Sequence, residues 1–96
     1  MHYFNAVYTI TIKKKILKKI SKLTKARQAD FYDLVEDLKI SGPIQKGWPN
    51  FSPLNVEKTE FHCHLDYRWV ACWKILEDNK LELEVYYVGS REKAPY

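Results

Sequence analysis

The centre of the fold is predicted at residues 68–76, which read RWVACWKIL. Apolar side chains fill consecutive positions of this run, as is typical of a strand that is covered on both faces. Turn-forming pairs lie on either side of it, Asp66-Tyr67 before and Asp78-Asn79 after. The run therefore indicates the middle strand of an antiparallel sheet, joined to its neighbours by tight turns.

Two half-buried strands are predicted beside this central strand. Residues 60–65 alternate between an apolar side, formed by Phe61, Cys63 and Leu65, and a polar side, formed by Glu60, His62 and His64. Residues 81–87 alternate in the same way, and the apolar side of this strand is formed by Leu81, Leu83, Val85 and Tyr87. The strand is expected to end at Gly89. Alternation at period two indicates strands with one face on the core and the other face open.

The first part of the chain predicts a strand followed by two helices. Residues 3–12 alternate, with one side formed by Tyr8, Ile10 and Ile12. From Lys13 the period becomes helical, and one stripe is formed by Ile16, Leu17, Ile20 and Leu23. A second helix is expected to begin at the N-cap Thr24, to end at Gly42-Pro43, and to bury Phe31, Leu34, Val35 and Leu38.

A loop over residues 42–55 joins this helical pair to the sheet, and its apolar residues are expected to pack on the core: Trp48, Phe51 and Leu54. The predicted order is β-α-α-β-β-β, an α+β fold in which an N-terminal strand and a helical pair pack on an antiparallel sheet. With 96 residues, of which 46% are hydrophobic, the chain is expected to form one domain over residues 1–96.

The compartment is predicted from the cysteines and from the apolar runs. Cys63 and Cys72 lie in apolar segments and are too few for a disulfide scaffold, so both are interpreted as reduced core residues. No apolar stretch of the sequence approaches the ~20 residues of a membrane span, and residues 1–5 lack the features of a secretory signal. The sequence therefore predicts a cytoplasmic protein without a membrane partner.

Positive charge is concentrated in the first third of the chain. Residues 1–29 contain eight basic residues and no acid, whereas the rest contains eight basic and twelve acidic residues, so the two parts carry +8 and −4. This asymmetry favours an anionic partner such as nucleic acid, although a helix that is only solvated by its lysines is the alternative. The candidate RNA contacts are Lys13, Lys14, Lys15, Lys18, Lys19 and Lys22, with Lys93 in the tail.

His62 and His64 share one face of a predicted strand. Imidazoles titrate near neutral pH, so this pair is a candidate for proton transfer or for contact with phosphate. Two surface histidines without a function are the alternative. A metal site is not expected, because zinc takes three or four ligands and Cys63 points to the opposite face of the strand.

Arg68 stands at the start of the predicted central strand. It is either a structural residue, paired with an acid such as Glu60 or Glu84, or a ligand for phosphate. The sequence contains no glycine-rich phosphate loop, nucleophile elbow or pair of buried carboxylates that would indicate another chemistry.

The tail, residues 88–96, reads VGSREKAPY and follows a core strand directly. Arg91 and Lys93 suit phosphate groups, and Tyr96 suits stacking on an unpaired base. An inert, frayed chain end is the alternative.

In its strand order and its closing run, the chain resembles the RelE/ParE superfamily of toxins from type II toxin–antitoxin modules. Residues 68–75 resemble the arginine-containing central strand of that family, and residues 88–96 resemble its closing run of glycine, arginine or histidine, and tyrosine. Residues 47–51 (GWPNF), together with residues 62–65 (HCHL), resemble the RelE-like subgroup of cytotoxic translational repressors. The resemblance covers nearly the whole chain and implies the α+β fold of the family.

The resemblance also implies an activity. RelE-like toxins cleave messenger RNA in the ribosomal A site without a metal or other cofactor, which makes them endoribonucleases that inhibit translation. Arg68 and Arg91 would stabilise charge on phosphorus, Tyr96 would stack on or deprotonate the nucleotide, and His62 or His64 would act as general acid or base. The lysine-rich helix would hold ribosomal RNA, and a cognate antitoxin would be the protein partner.

Two other functions fit the same resemblance. ParE-like members inhibit DNA gyrase by binding and are not nucleases, and a catalytically degraded homologue would only bind its antitoxin. The paired histidines and Tyr96 favour cleavage. Arg91 weighs against it, because the family often has histidine at this position and an arginine holds phosphate without exchanging protons near pH 7.

Overall fold

The computed structural model describes residues 7–96. Its elements are β1 (Thr9–Ile12), α1 (Lys14–Ser21), α2 (Lys25–Ser41), β2 (Ser52–Pro53), β3 (Glu60–His64), β4 (Trp69–Leu76), β5 (Asn79–Ser90) and a closing 3-10 turn (Arg91–Lys93). The predicted α+β order is confirmed, and the two-residue β2 is added inside the predicted loop. Of the predicted first strand, residues 3–6 lie outside the described residues, and β1 begins only at Thr9.

The described strands form one sheet of five strands in the order β1-β5-β4-β3-β2. β4 is the central strand, as predicted, and pairs antiparallel with β3 and β5. β1 joins the far side of β5 in parallel, so the sheet is mixed. No helix within residues 7–96 has the length and apolar character that crossing a bilayer requires.

Helix α1 contacts the sheet through a narrow stripe. Ile16 and Ile20 are 5% and 1% exposed, but Leu17 is 40% exposed. The prediction that Leu17 joins the buried stripe is therefore wrong. The two isoleucines stand one turn apart on the same line of the helix, and Leu17 lies beside that line on the solvent side.

Helix α2 begins and ends as predicted. The Thr24 hydroxyl oxygen accepts a hydrogen bond from the backbone N–H of Arg27 at 3.3 Å, which is the N-cap contact. Gly42 follows the helix with a φ of 83°, and a Cβ there would overlap the ring of Tyr8. Only glycine fits this position without strain. The predicted buried face is confirmed: Phe31, Leu34, Val35 and Leu38.

The loop between α2 and β3 is fastened to the core by aromatic side chains, as predicted for Trp48 and Phe51. The Trp48 indole N–H donates to an Asp37 carboxylate oxygen at 2.8 Å. Phe51 stacks on Phe61, with ring centroids 5.7 Å apart. Leu54 is half-buried at the end of the loop. These contacts hold β2 at a fixed place beside β3.

The helices cover one side of the sheet only. Their buried residues pack on Phe61 and Cys63 of β3, on Leu65 directly after it, and on Ala71 and Trp73 of β4. The opposite side of the described sheet is called the open face here, and it carries His62 and His64 of β3, Val70, Cys72 and Lys74 of β4, and Glu84 and Tyr87 of β5.

A β-bulge in β5 changes which residues reach the open face. Val85 pairs with Trp73 and Tyr87 pairs with Cys72, so Tyr86 is one extra residue in β5. An extra residue shifts the alternation of side chains by one position. Tyr87 therefore lies on the open face, and its predicted place on the apolar side is wrong.

The ends of β5 also differ from the prediction. The turn before β5 is formed by residues 77–78, one residue earlier than predicted, and Asn79 already pairs with Leu76. Leu81 is 53% exposed, because it precedes the part of β5 that β1 and the helices cover, so its predicted core position is wrong. Gly89 does not end the strand. It pairs with Val70, and β5 continues to Ser90.

Candidate functional site

The strand register aligns side chains from three strands in rows across the open face. One row, called the histidine row here, consists of His62, Cys72 and Tyr87. The neighbouring row consists of His64, Val70 and Gly89. Because the bulge precedes Tyr87, the tyrosine joins the histidine row and not the core. This surface of β3, β4 and β5 is the candidate site.

The tail brings Tyr96 onto this surface. After the 3-10 turn the backbone is extended at Ala94, with φ −61° and ψ 146°. The ring centroid of Tyr96 lies 4.5 Å from that of His62, and the His62 ring lies 5.8 Å from that of His64. The structure thus brings together three of the predicted site residues. His62 is only 8% exposed, whereas Tyr96 is 54% exposed and accessible to a ligand.

The environment of His62 favours its neutral form. Burial lowers the pKa of His62 below its ordinary value of 6.5, a hydrogen bond to the backbone of Ser52 opposes the shift, and the charge of His64 adds to it. Its Nδ1 atom lies 3.2 Å from the Ser52 hydroxyl oxygen. A neutral imidazole has an unprotonated nitrogen, so His62 is able to accept a proton at neutral pH.

Burial also raises the pKa of Tyr96 above its ordinary value of 10.0, and the positive charge of Arg91 opposes that shift. The Tyr96 hydroxyl therefore keeps its proton at neutral pH. A protonated phenol is able to donate a hydrogen bond, and it lies beside a histidine whose neutral form is able to accept one.

Arg68 and Arg91 meet at the end of the same surface. The backbone N–H of Arg91 donates to the carbonyl oxygen of Arg68 at 2.8 Å, which joins the tail to the turn between β3 and β4. Both side chains are exposed, and an open groove of about 440 Å³ lies between them. Trp69 and Ser90 form the floor of this groove, and Tyr67 and Glu92 also line it. Two guanidinium groups beside one groove suit a phosphate.

The structure shows which groups lie near Arg68. Arg68 precedes β4 instead of opening it, and its Nε atom donates to the Tyr67 hydroxyl at 2.9 Å. The two carboxylates considered as partners are occupied elsewhere. Glu60 accepts from the Tyr86 hydroxyl at 2.9 Å, and Glu84 pairs with Lys13 at 3.3 Å. Neither carboxylate is therefore paired with Arg68, whose side chain is exposed.

The lysines of α1 are exposed, as expected of a contact surface, and Lys19 of this helix and Lys13 at its N-cap reach the open face. The Nζ atom of Lys13 lies 3.3 Å from a carboxylate oxygen of Glu84, and that of Lys19 lies 5.1 Å from the ring centroid of Tyr87. The basic helix thus adjoins the histidine row. The remaining predicted lysines are exposed without an ion pair within the described residues: Lys14, Lys15, Lys18, Lys22 and Lys93.

Sequence reasoning missed Ser52 and Tyr86. Ser52 lies in a loop that carries no strand pattern, and only the pairing of β2 with β3 puts it opposite His62. Tyr86 reaches Glu60 because it is the extra residue of the bulge. Burial, followed by the hydrogen bond to Glu60, raises the pKa of Tyr86. Neither position has a local sequence signal.

The thiols of the site region are inert. Cys63 faces the core and Cys72 belongs to the histidine row on the open face, and both are free and buried. Burial raises the pKa of each thiol to about 12, so neither is a nucleophile at neutral pH. Within residues 7–96, no three histidine, cysteine or carboxylate side chains come close enough to form a metal site.

The order of elements, the mixed sheet and the helical pair on one face define the fold of the RelE-like toxins, as the resemblance implies. Solved structures with this fold cover almost the entire chain. RelE in the archaeal RelE–RelB complex from Pyrococcus horikoshii is 16% identical with a TM-score of 0.75, and the match covers 92% of this chain and 99% of RelE. A free variant of the Escherichia coli toxin RelE is 16% identical with a TM-score of 0.70, covering 92% of this chain and 87% of that one.

A third similar structure is the YoeB dimer from Staphylococcus aureus, which is 12% identical with a TM-score of 0.68. The match covers 90% of this chain and 99% of YoeB. No protein-family model matches the sequence, and no curated protein matches it. At these identities the likeness establishes the fold, and the activity has to be argued from the site.

Proposed function

We propose that this chain is the toxin of a type II toxin–antitoxin module and acts as a ribosome-dependent messenger RNA endonuclease that needs no metal. The observation that carries the proposal is the contact between Tyr96 and His62, with ring centroids 4.5 Å apart, on the surface where Arg68 and Arg91 also meet. A proton acceptor and two cations suit the chemistry of RNA cleavage, and an aromatic ring suits stacking on an unpaired base.

The proposed reaction uses the 2′-hydroxyl of the RNA as nucleophile. A base removes the 2′-hydroxyl proton, the 2′-oxygen attacks phosphorus, and the bond between phosphorus and the 5′-oxygen breaks. The products are a 2′,3′-cyclic phosphate and a 5′-hydroxyl that has taken up a proton from an acid. Negative charge increases on the phosphate oxygens in the transition state, where fixed cations stabilise it most.

The site offers a group for each step. His62 is neutral because burial lowers its pKa, so we assign it the role of base. Tyr96 keeps its proton, so it stacks on the nucleotide and donates a hydrogen bond or a proton. Arg68 and Arg91 hold the scissile phosphate. Since Arg91 does not exchange protons near pH 7, the remaining proton transfer falls to Tyr96 or to His64.

The surroundings of the site support an RNA target. The lysines of α1 are exposed and adjoin the open face, and contacts between lysines and phosphates do not depend on sequence. In the proposed function they hold ribosomal RNA while the open face receives the messenger in the cytoplasm. A cognate antitoxin is the proposed protein partner, in line with the RelE–RelB and YoeB–YefM complexes among the similar structures.

The test is induced expression in a bacterial host, with protein synthesis and DNA synthesis followed by pulse labelling in the same culture. A rapid fall of translation while DNA synthesis continues, with new 5′ ends mapped on a transcript by primer extension, is the expected result. Loss of DNA synthesis first would contradict the proposal and indicate gyrase inhibition. Arrest of neither would indicate a degraded homologue. An Arg68→Ala/Arg91→Ala double variant serves as the inactive control.

A further inference from the structure

The short strand β2 holds one side chain against His62. Ser52 pairs with His62 in the register of β2 and β3. Backbone hydrogen bonds fix the segment on both sides. The N–H of His64 donates to the Pro49 carbonyl at 2.8 Å, and the N–H of Leu54 donates to the Glu60 carbonyl at 2.7 Å. The serine therefore has a defined position relative to the histidine.

The His62 ring is enclosed on two sides. Its Nδ1 atom lies 3.2 Å from the Ser52 hydroxyl oxygen, and the ring of Tyr96 packs against it. His62 is 8% exposed, so a change of its orientation would require its neighbours to move. With Nδ1 engaged, Nε2 is the ring nitrogen left for exchange with a ligand.

We infer that Ser52 is a positioning residue, which binds His62 Nδ1–H so that Nε2 is the atom that takes the proton from RNA. This inference rests on the proposed function. A serine hydroxyl accepts a hydrogen bond from Nδ1–H equally well before and after Nε2 is protonated, because its own hydrogen rotates freely. Proton transfer at Nε2 then requires no rearrangement of the ring or of Ser52, which is the property of a preorganised site.

The test compares Ser52→Thr with Ser52→Val in the full chain. The two side chains have nearly the same shape and both suit a strand, but only threonine retains the hydroxyl. In a ribosome-dependent cleavage assay, Ser52→Val should be slower by about tenfold, less than the ~100-fold that loss of a general base costs. Ser52→Thr should stay close to the native rate. Ser41→Ala, on the exposed end of α2, is the control for loss of an unrelated serine.

The pH dependence of the cleavage rate is a second measurement. It should stay unchanged if Ser52 only supports the fold. A hydrogen bond from Nδ1–H to the Ser52 hydroxyl favours the protonated ring, so its loss should move the acid limb of the Ser52→Val profile to lower pH. The Ser52→Thr profile should match the native one. A Ser52→Val protein with the native rate and the native profile, in a chain that cleaves RNA, would overturn the inference and leave the proposed function standing.

Nuclear magnetic resonance separates the two proposals. Long-range proton–nitrogen correlations in isotope-labelled protein should show the His62 proton on Nδ1 in the native chain and in Ser52→Thr, and a mixture of tautomers in Ser52→Val. A native ring with its proton on Nε2 would overturn the inference whatever the activity. If the native chain does not cleave RNA at all, the proposed function is wrong, and these spectra still decide whether Ser52 orients the ring.

Discussion

Arg27 of α2 forms an ion pair with Asp66 in the turn between β3 and β4, the same turn that carries Arg68. The other carboxylate oxygen of Asp66 accepts hydrogen bonds from the backbone N–H groups of Arg68, at 2.7 Å, and Trp69, at 2.8 Å. A single carboxylate thus ties the second helix to the turn and fixes the backbone from which Arg68 extends.

Asp66→Ala should lower the free energy of unfolding by about 2–3 kcal/mol, because it removes charge-assisted hydrogen bonds to three donors. Asp66→Asn retains an oxygen that accepts from the backbone and should lose about half as much. Urea denaturation measures both values. Equal losses in the two variants would mean that the ion pair, and not the turn, provides the stability. Growth arrest by Asp66→Ala should weaken as well, since Arg68 loses its fixed position.

Replacement of the groups assigned to the reaction should abolish growth arrest without unfolding the protein. The variants are Tyr96→Phe, Tyr96→Ala, Arg68→Ala and Arg91→Ala, and each residue is exposed, so little core packing is lost. Circular dichroism checks the fold and colony formation after induction checks the toxicity. Full toxicity in all of them would refute the site assignment. A His62→Gln/His64→Gln pair that lost no activity would exclude histidine from the mechanism.

The pH dependence of stability should reveal His62. Burial lowers its pKa below 6.5, so its contribution to stability is present above that value and is lost as the pH falls through the lowered pKa. The pKa of Asp66 is also lowered from its ordinary value of 3.8. Burial raises this pKa, but the hydrogen bonds from Arg68, Trp69 and Arg27 outweigh burial. The effect of Asp66 on stability therefore changes only in more acidic solutions.

Urea denaturation between about pH 7 and pH 5 therefore isolates the histidine. The native protein should lose stability over this range, and His62→Gln should lose less. His64→Gln is the matched control on the same strand. An identical pH dependence in the native protein and in His62→Gln would show that His62 titrates normally.

Gly89→Ala should disturb the contact between the basic helix and the open face. A Cβ at Gly89 would lie 2.6 Å from the Tyr87 hydroxyl and 2.7 Å from the Nζ atom of Lys19, so both side chains would have to move. We expect a loss of about 1–3 kcal/mol in the free energy of unfolding. Gly47→Ala is the control, because nothing lies within 4 Å of its added Cβ. Equal stabilities of the two variants would contradict this packing.

The sequence predicts the strands and helices well because their patterns are local. The alternation around His62, the apolar central strand and the N-cap Thr24 each depend on neighbours a few residues away. Tyr87 was assigned to the wrong face because a bulge adds one residue without a change in composition. Ser52 has no local signal, since its role exists only where β2 meets β3.

In the candidate site, too, some features could be predicted from the sequence and others depend on the folded chain. Residue types identified His62, His64 and Tyr96 as candidates, and the structure puts them together. The lack of an ion pair between Arg68 and Glu60 or Glu84 was not predictable, because it depends on the contacts of these carboxylates with Tyr86 and Lys13. Such competition among long-range partners is decided by the fold as a whole.

The parallel pairing of β1 with β5 has a consequence for synthesis of the chain. Thr9 is made long before its partner Glu82, so β1 joins the sheet only after both helices and the strands β2 to β4 have been made. Contacts between distant segments slow folding, because the loop between them must first be ordered. The surface that carries Arg68, His62 and Tyr96 is therefore completed only after β5 and the tail that follows it have been made.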